Sequence, residues 1–159
     1  MTQRAVEILK LIRPQVLFVR SDCLPPLITE INRQLPRLAD YTGALVVAEN
    51  EGLLSKEKQA TYERQLGVPV YRLLRIDIAM FLAAECPACR LLHCPPDLYY
   101  LESVPDAFDR ASDIYGENAL VVTNWFSRCC PSLRYLSQVK GRLTPPGCPR
   151  GPQDQRIAA

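Results

Sequence analysis

An α/β fold of the Rossmann-like type, with a mainly parallel sheet and helices on both faces, is predicted from three features of the sequence. The chain has 159 residues, of which 48% are hydrophobic and 23% charged, so it holds enough apolar side chains for the core of one ordinary domain. Short uncharged runs rich in Val and Leu alternate with segments in which apolar residues recur every three to four positions. Buried strands that alternate with amphipathic helices are typical of a parallel sheet.

The first half of the sequence predicts a helix and then a strand, three times over. Helices are predicted over residues 2–13, over the segment whose apolar face runs from Leu24 to Leu38, and over residues 55–66. Strands are predicted over residues 16–19, 44–48 and 68–76. Pro14 ends the first helix and Pro36 kinks or ends the second, because proline lacks the N–H group that an inner helical turn requires. Ser21 or Asp22 can cap the second helix, Ser55 can cap the third, and Gly67 can end the third.

The second half predicts the same alternation again. Strands are predicted over residues 98–101 and 119–123, and helices over residues 103–116 and 127–139. The segments GALVVAEN and ENALVVTN take similar places in the two halves and would fit two similar βαβ units, although any two buried parallel strands share such a pattern.

We therefore expect residues 1–143 to form a single α/β domain. Sub-halves 1–84 and 95–143, joined by a cysteine-rich loop over residues 85–94, are the alternative division. Residues 144–159 hold four prolines and few apolar side chains, so a disordered, proline-rich tail is expected there.

The formal net charge of +2 is close to neutral, and bulk electrostatics therefore does not point to nucleic acid. Residues 85–117 are mainly acidic, whereas the sequence from residue 128 onward is mainly basic. Surface charges that pair with each other explain this pattern, and nucleic acid or another anionic partner for the basic C-terminal segment is the alternative. No apolar run approaches the ~20 residues that cross a bilayer, so no membrane partner is expected.

Seven cysteines, an odd number without a secretory signal, indicate a reducing compartment, and we expect a cytoplasmic protein. The most specific motif is CPACRLLHC over residues 86–94. Its metal-ligand candidates are Cys86, Cys89, His93 and Cys94, and a tetrahedral zinc site is the metal hypothesis. Because the adjacent His93 and Cys94 could not easily bind one ion together, a distant ligand would come from Cys129, Cys130 or Cys148. Unligated loop thiols and a redox-active CxxC pair are the alternatives.

Four polar residues follow the first two predicted strands, at the sheet edge where ligands of parallel α/β folds bind. Ser21 and Asp22 come after the first strand, at a position where a helix N-terminus could hold phosphate. Glu49 and Glu51 follow the second strand and could contact a metal or a ribose. The alternative is that the first pair only caps a helix and that the two glutamates are ordinary loop acids. No glycine-rich phosphate loop is present.

The segments LGVPVYRLLRIDI (residues 66–78) and CPAC (residues 86–89) follow a strand, a helix, a strand and a short helix. Over residues 16–94 this order resembles the C-terminal half of the orotate phosphoribosyltransferases. The PRPP-binding turn of that family has two adjacent acids and then a loop rich in Thr and Gly. Here VRSDCLPPLITE has one acid, Asp22, followed by prolines, so the PRPP-binding motif is absent.

This resemblance implies a degenerate or non-catalytic nucleotide- or phosphoribosyl-binding module that acts as a partner subunit or regulator. Its ligand would be a phosphate-bearing small molecule and its partner another protein. A diverged phosphoribosyltransferase-like enzyme and a zinc-stabilised protein that interacts with proteins or nucleic acid are the alternatives. No catalytic residue is assigned.

Overall fold

The computed structural model describes residues 2–104, 118–127 and 131–158. Within these ranges the chain forms three α-helices and nine strands. The helices are α1 (Thr2–Ile12), α2 (Leu24–Gln34) and α3 (Lys56–Leu66). The strands are β1 (Val16–Arg20), β2 (Ala44–Asn50), β3 (Val70–Ile76), β4 (Phe81–Glu85), β5 (Leu92–Cys94), β6 (Tyr99–Val104), β7 (Asn118–Asn124), β8 (Tyr135–Thr144) and β9 (Gln155–Ala158).

The chain divides into two compact units. Unit 1 consists of Met1–Glu49 and Leu54–Arg72, and unit 2 consists of Asn50–Leu53 and Leu73–Ala159. Strand β3 therefore begins in unit 1 and ends in unit 2. This division differs from both expectations, a single domain over residues 1–143 and sub-halves 1–84 and 95–143.

The prediction of a Rossmann-like, mainly parallel sheet with helices on both faces is wrong. The strands follow the order β1-β2-β3-β4-β5-β9-β8-β7-β6 in a mixed sheet. β1 and β2 are parallel, whereas the described pairs among β3 to β9 are antiparallel. All three described α-helices belong to unit 1. The idea of two similar βαβ halves is wrong as well, because β7, which carries ENALVVTN, runs antiparallel to both of its neighbours.

Unit 1 has its helices and strands where the apolar spacing predicts them. Helix α2 has prolines in its first turn and no side-chain cap; the predicted caps Ser21 and Asp22 instead form a 3-10 turn, Ser21–Cys23. The core of the unit is made of buried aliphatic side chains from the helices, the strands and the loops between them. These are Val6, Leu9, Val19, Leu24, Leu27, Ile28, Ile31, Leu35, Leu38, Leu45, Val47, Leu54, Leu66, Val68 and Val70.

Both predicted boundary signals of α3 are confirmed. The Ser55 hydroxyl accepts a hydrogen bond from the backbone N–H of Lys58 at 3.3 Å, which satisfies one of the free donors of the first turn. Gly67 follows the helix with φ of 67°, and its N–H group donates to the Glu63 carbonyl at 2.9 Å. A glycine adopts this left-handed conformation without steric cost.

Three strands of unit 2, β4, β5 and β8, bury every second residue, whereas β7 is buried along nearly its whole length. The predicted helix over residues 127–139 is wrong where the structure describes it, because β8 occupies Tyr135–Thr144 and pairs with β7 and β9. Along β8, Ser137, Val139, Gly141 and Leu143 are buried, while Gln138, Lys140 and Arg142 between them are exposed. This period of two belongs to a strand with one buried face. A Cβ atom at Gly141 would lie 2.8 Å from Cγ2 of Ile157 on β9, so a larger residue here would force the Ile157 side chain to shift.

The segment expected to be a disordered tail differs from that prediction. Residues 155–158 form β9, which lies between β5 and β8 and pairs with both. Ile157, in the middle of β9, is completely buried in the core of unit 2. A proline-rich composition therefore did not prevent this short segment from adding a strand.

The predicted strands at 98–101 and 119–123 are confirmed as β6 and β7. Most of the helix expected over residues 103–116 lies outside the described residues, and the part that is described belongs to the end of β6. In the described ranges, the α-helices are too short and too polar to cross a bilayer.

Candidate metal centre

Four side chains of unit 2 bring their ligand atoms together. The thiol sulfurs of Cys86, Cys89 and Cys148 and a ring nitrogen of His93 all lie within 4.8 Å of one another. The Cys86 and Cys148 Sγ atoms are 3.8 Å apart, and Cys89 Sγ is 3.1 Å from His93 Nε2. We call these four residues the Cys3His cluster. Three sulfurs and one imidazole nitrogen are a complete set of ligands for one metal ion.

A tight turn after β4 positions the first two cysteines. The Cys86 N–H group donates to the Leu91 carbonyl at 2.9 Å, and the Arg90 N–H group donates back to the Cys86 carbonyl at 2.8 Å. Arg90 closes the turn with a left-handed φ of 57°. The turn folds Cys89 back beside Cys86, and the chain then re-enters the sheet as β5, antiparallel to β4.

The other two ligands depend on the pairing of β5 with β9. His93 lies on β5 opposite Arg156 of β9. Cys148 stands before β9 in a short turn, where the Gly151 N–H group donates to the Cys148 carbonyl at 3.1 Å. The pairing of β5 with β9 therefore brings together candidate ligands that are far apart in sequence.

A carboxylate orients the imidazole. His93 Nδ1 lies 2.9 Å from Asp154 Oδ2. Because a carboxylate only accepts hydrogen bonds, Nδ1 carries the ring proton and donates a hydrogen bond to Oδ2. Nε2 then keeps its lone pair and faces the three sulfurs. A carboxylate that holds the outer nitrogen of a histidine in this way is the usual support of a metal-bound imidazole.

Gly151 makes room for this pair. A Cβ atom at position 151 would lie 2.0 Å from Asp154 Oδ2 and 2.9 Å from His93 Nδ1. Such distances are far shorter than any van der Waals contact, so a larger residue would displace the carboxylate or the imidazole.

The cluster also changes the acidity of its thiols. Burial acts to raise the pKa of the Cys86 thiol, but hydrogen bonds from the backbone N–H groups of Cys89 and Ala88 outweigh it, and the net effect is a lowered pKa. Burial raises the pKa of the Cys89 thiol. The backbone of the turn therefore favours the thiolate form of Cys86.

Of the four predicted metal ligands, three lie in the cluster and Cys94 does not. Adjacent residues of a strand point to opposite faces, so Cys94 on β5 faces away from His93. The Cys94 side chain is completely buried, and burial together with the nearby Asp154 carboxylate raises its pKa to about 12. Cys148 takes the place of Cys94. It is one of three distant cysteines that the sequence offers as the missing ligand; the other two, Cys129 and Cys130, lie outside the described residues.

The predicted phosphate-site residues are placed as follows. Ser21, Asp22 and Glu49 belong to unit 1, and Glu51 belongs to unit 2. The Arg20 guanidinium makes two hydrogen bonds to the Asp22 carboxylate, at 3.1 and 2.5 Å, and lowers the pKa of that carboxyl group. This ion pair gives the Asp22 carboxylate a partner within its own unit.

Glu51 accepts a hydrogen bond from the Tyr135 hydroxyl at 2.6 Å, within unit 2. Its backbone has a left-handed φ of 49°, and its N–H group donates to the Arg75 carbonyl at 2.8 Å. Glu51 is thus held by contacts at both its backbone and its side chain.

Comparison with known proteins places the fold. No family model matches the sequence, and no curated protein matches it either. A structure of 2-hydroxyisobutyryl-CoA ligase in an open conformation, in complex with 2-HIB-AMP and CoA, matches 98% of this chain and 37% of its own, with a TM-score of 0.84 at 18% identity. A benzoate CoA ligase from Burkholderia xenovorans LB400 matches 100% of this chain and 34% of its own, with a TM-score of 0.56 at 14% identity.

The N-terminal subdomain of NpsA from Klebsiella oxytoca matches 96% of this chain and 38% of its own, with a TM-score of 0.51 at 10% identity. The chain thus spans somewhat more than a third of the proteins it resembles. The phosphoribosyl-binding function and the phosphoribosyltransferase-like description are wrong, because the similar structures are CoA ligases and adenylation proteins. At these identities the similarity establishes the fold: this chain has the fold of a part of the acyl-CoA ligases.

Proposed function

We propose that this chain is a zinc-stabilised module of an acyl-CoA ligase-type protein. The observation that carries the zinc part is the meeting of four ligand atoms within 4.8 Å in the Cys3His cluster. The observation that supports the ligase part is the TM-score of 0.84 over 98% of the chain.

The ligand set favours zinc over other divalent metals. Thiolates and imidazole are the donors of structural zinc sites, whereas magnesium and calcium prefer oxygen. Two sulfurs bound to one tetrahedral zinc at about 2.3 Å stand about 3.8 Å apart. The Cys86–Cys148 separation of 3.8 Å has this value, so these two sulfurs need little movement to bind the ion.

A structural role follows from the number of ligands. Four protein ligands fill a tetrahedral ion and leave no position for a substrate. The ion would tie the β4–β5 turn to the segment before β9, across a gap of 62 residues between Cys86 and Cys148. Closing so long a loop restricts the unfolded chain, and metal binding therefore adds to the folding free energy.

Zinc content tests this part of the proposal. We expect native mass spectrometry of protein purified in reducing buffer to find one zinc per chain, and chelation to lower the melting temperature. Cys86→Ser and Cys148→Ser should abolish binding, while the exposed Cys23→Ser and the buried Cys94→Ala should retain it. Cobalt in place of zinc should show the absorption bands of a tetrahedral thiolate site. The proposal would be contradicted if the purified chain held no metal and its melting temperature did not change when a chelator was added.

The ligase part is tested with the ligands of the similar enzyme, whose structure holds 2-HIB-AMP and CoA. We expect CoA or a stable acyl-adenylate analogue to raise the melting temperature, since a ligand at 100 times its Kd stabilises a protein by about 2.7 kcal/mol. Adenine alone serves as the control. If neither compound shifts the melting at millimolar concentration, this chain does not contribute a binding surface for them.

A further inference from the structure

The three sulfurs of the Cys3His cluster differ in their access to solvent. The Cys86 side chain is 7% exposed and Cys148 is 1% exposed, whereas Cys89 is only half-buried. A small oxidant from solvent therefore meets the Cys89 sulfur first. Access to the sulfur is one of the two conditions that make a cysteine reactive, and thiolate character, which a bound zinc would supply at its cysteine ligands, is the other.

We propose that Cys89 is the oxidation site of this module, and that a peroxide joins Cys89 to Cys86 in a disulfide and expels the metal. The release of zinc rests on the zinc site proposed above; the disulfide itself needs only the cluster geometry. The module would then exist in a reduced, metal-bound form and an oxidised, metal-free form.

The turn after β4 makes Cys86 the partner of Cys89. The two residues are three positions apart, and the mutual hydrogen bonds of Cys86 with Leu91 and Arg90 hold them in one tight turn. Their sulfurs already lie within 4.8 Å, and a disulfide requires about 2.05 Å. Cys148 is the buried alternative, and bonding it to Cys89 would draw the segment before β9 toward solvent.

The chemistry is a two-electron oxidation by one molecule of peroxide. The Cys89 thiolate attacks an oxygen of hydrogen peroxide, the O–O bond breaks, hydroxide leaves, and Cys89 becomes a sulfenic acid. The Cys86 thiolate then attacks the Cys89 sulfur, the S–O bond breaks, a second hydroxide leaves, and the S–S bond forms. Two thiolates are oxidised to one disulfide, and one peroxide is reduced to two hydroxide ions.

Loss of the metal follows from the ligand count. A disulfide sulfur is a poor zinc ligand, because the thiolate is the form that binds. Only Cys148 and His93 would remain, which is half of a tetrahedral set. The tie that the ion would make between the β4–β5 turn and the segment before β9 would be lost, while the hydrogen bond between His93 and Asp154 and the pairing of β5 with β9 would remain.

The experiment uses the full chain as purified. It is treated with a small excess of hydrogen peroxide while a chromophoric chelator reports free zinc, and disulfides are then mapped by mass spectrometry of peptides. We expect one zinc released per disulfide formed, with Cys86–Cys89 as the main bond and rebinding of zinc after reduction. Cys23, which is exposed but outside the cluster, is the internal reference thiol, and its oxidation should release no zinc.

Three results would overturn the proposal: zinc that stays bound while Cys23 is oxidised, a main disulfide other than Cys86–Cys89, or zinc release without any disulfide. All three results are measured on the wild-type protein, so the test does not require a Cys89→Ser variant that folds. Failure of the two proposals is also distinguishable. A metal-free chain that still forms the Cys86–Cys89 disulfide would contradict the zinc proposal but not the oxidation proposal. A zinc-bound chain in which peroxide forms no disulfide would contradict the oxidation proposal but not the zinc proposal.

Discussion

His93 and Asp154 are joined by a 2.9 Å contact between Nδ1 and Oδ2 although 61 residues separate them in the sequence. The two side chains are mostly buried, with 11% and 23% of their surface exposed. The contact leaves Nε2 of the imidazole free to face the sulfurs of the Cys3His cluster. It therefore couples the geometry of a metal ligand to the segment that precedes β9.

Asp154→Asn tests this coupling. The amide no longer carries the charge that supports a metal-bound imidazole, so we expect zinc affinity to fall 10- to 100-fold, the usual effect of losing such a partner. Affinity is measured by competition with a chelator of known strength. Asp97→Asn, an exposed aspartate outside the cluster, is the matched control and should leave affinity unchanged. Equal affinities of the Asp154 variant and the wild type would show that the carboxylate does not support the ligand.

Gly151→Ala introduces a methyl group 2.0 Å from the Asp154 carboxylate and should weaken zinc binding by moving it. Gly67→Ala is the contrasting variant, since nothing lies within 4 Å of its Cβ and only its φ of 67° is strained. We expect Gly67→Ala to cost about 1–2 kcal/mol of stability with zinc affinity intact. Chelator competition and denaturant melts on both variants separate the two effects. Normal zinc affinity in Gly151→Ala would mean that the segment before β9 can relax.

Ser55→Ala should destabilise the protein by about 1 kcal/mol, because the Lys58 N–H group loses its capping acceptor. Ser55→Asp restores an acceptor and should recover most of this loss, while Ser55→Gly should cost only a few tenths of a kcal/mol. Urea denaturation of the three variants gives the free energies of unfolding. A Ser55→Asp variant no more stable than Ser55→Ala would show that this cap contributes little.

Glu51→Gln tests the contact between Glu51 and Tyr135. The hydrogen bond to the Glu51 carboxylate, with a smaller contribution from burial, raises the pKa of the Tyr135 hydroxyl above its ordinary value. We expect the neutral amide to return this pKa toward the ordinary value near 10, as followed by NMR of labelled tyrosine, with Tyr135→Phe identifying the signal. An unchanged pKa would mean that the carboxylate is not its cause.

The same contact has a pH signature in stability. Because the pKa of Tyr135 is higher in the folded chain than in the unfolded one, its contribution is complete below the ordinary tyrosine pKa and is lost as the pH rises through the raised value. Above about pH 9, the free energy of unfolding of the wild type should therefore fall more steeply with pH than that of Glu51→Gln. Parallel curves for the two proteins would contradict this.

The local features of unit 1 could be read from the sequence because each depends on a few neighbouring residues. Apolar spacing predicted α1 and α2, and Ser55 and Gly67 predicted the two ends of α3. The motif at residues 86–94 likewise predicted a cluster of ligands, since a CxxC turn brings two sulfurs together by itself.

Whether two paired strands are parallel or antiparallel could not be predicted from neighbouring residues. Parallel and antiparallel strands can have the same apolar residues, and the pairing partner is chosen by contacts distant in sequence. The stretch ALVV occurs in β2 and again in β7, yet the first is in a parallel pair and the second is antiparallel on both sides. Residues 135–144 alternate between buried and exposed positions as a strand does, and the helix predicted over residues 127–139 is wrong there because this segment pairs with β7 and β9.

The amino-acid pattern alone predicted the helices of unit 1, the boundaries of α3, and three of the four residues of the Cys3His cluster. Only the tertiary structure decided that Cys148 is the fourth member of the cluster, that Cys94 is a core side chain, and that Asp154 contacts His93. The reason is physical. Residues 148–154 reach the β4–β5 turn only because β9 inserts between β5 and β8, and that insertion depends on the burial of Ile157 and on the close approach that Gly141 allows.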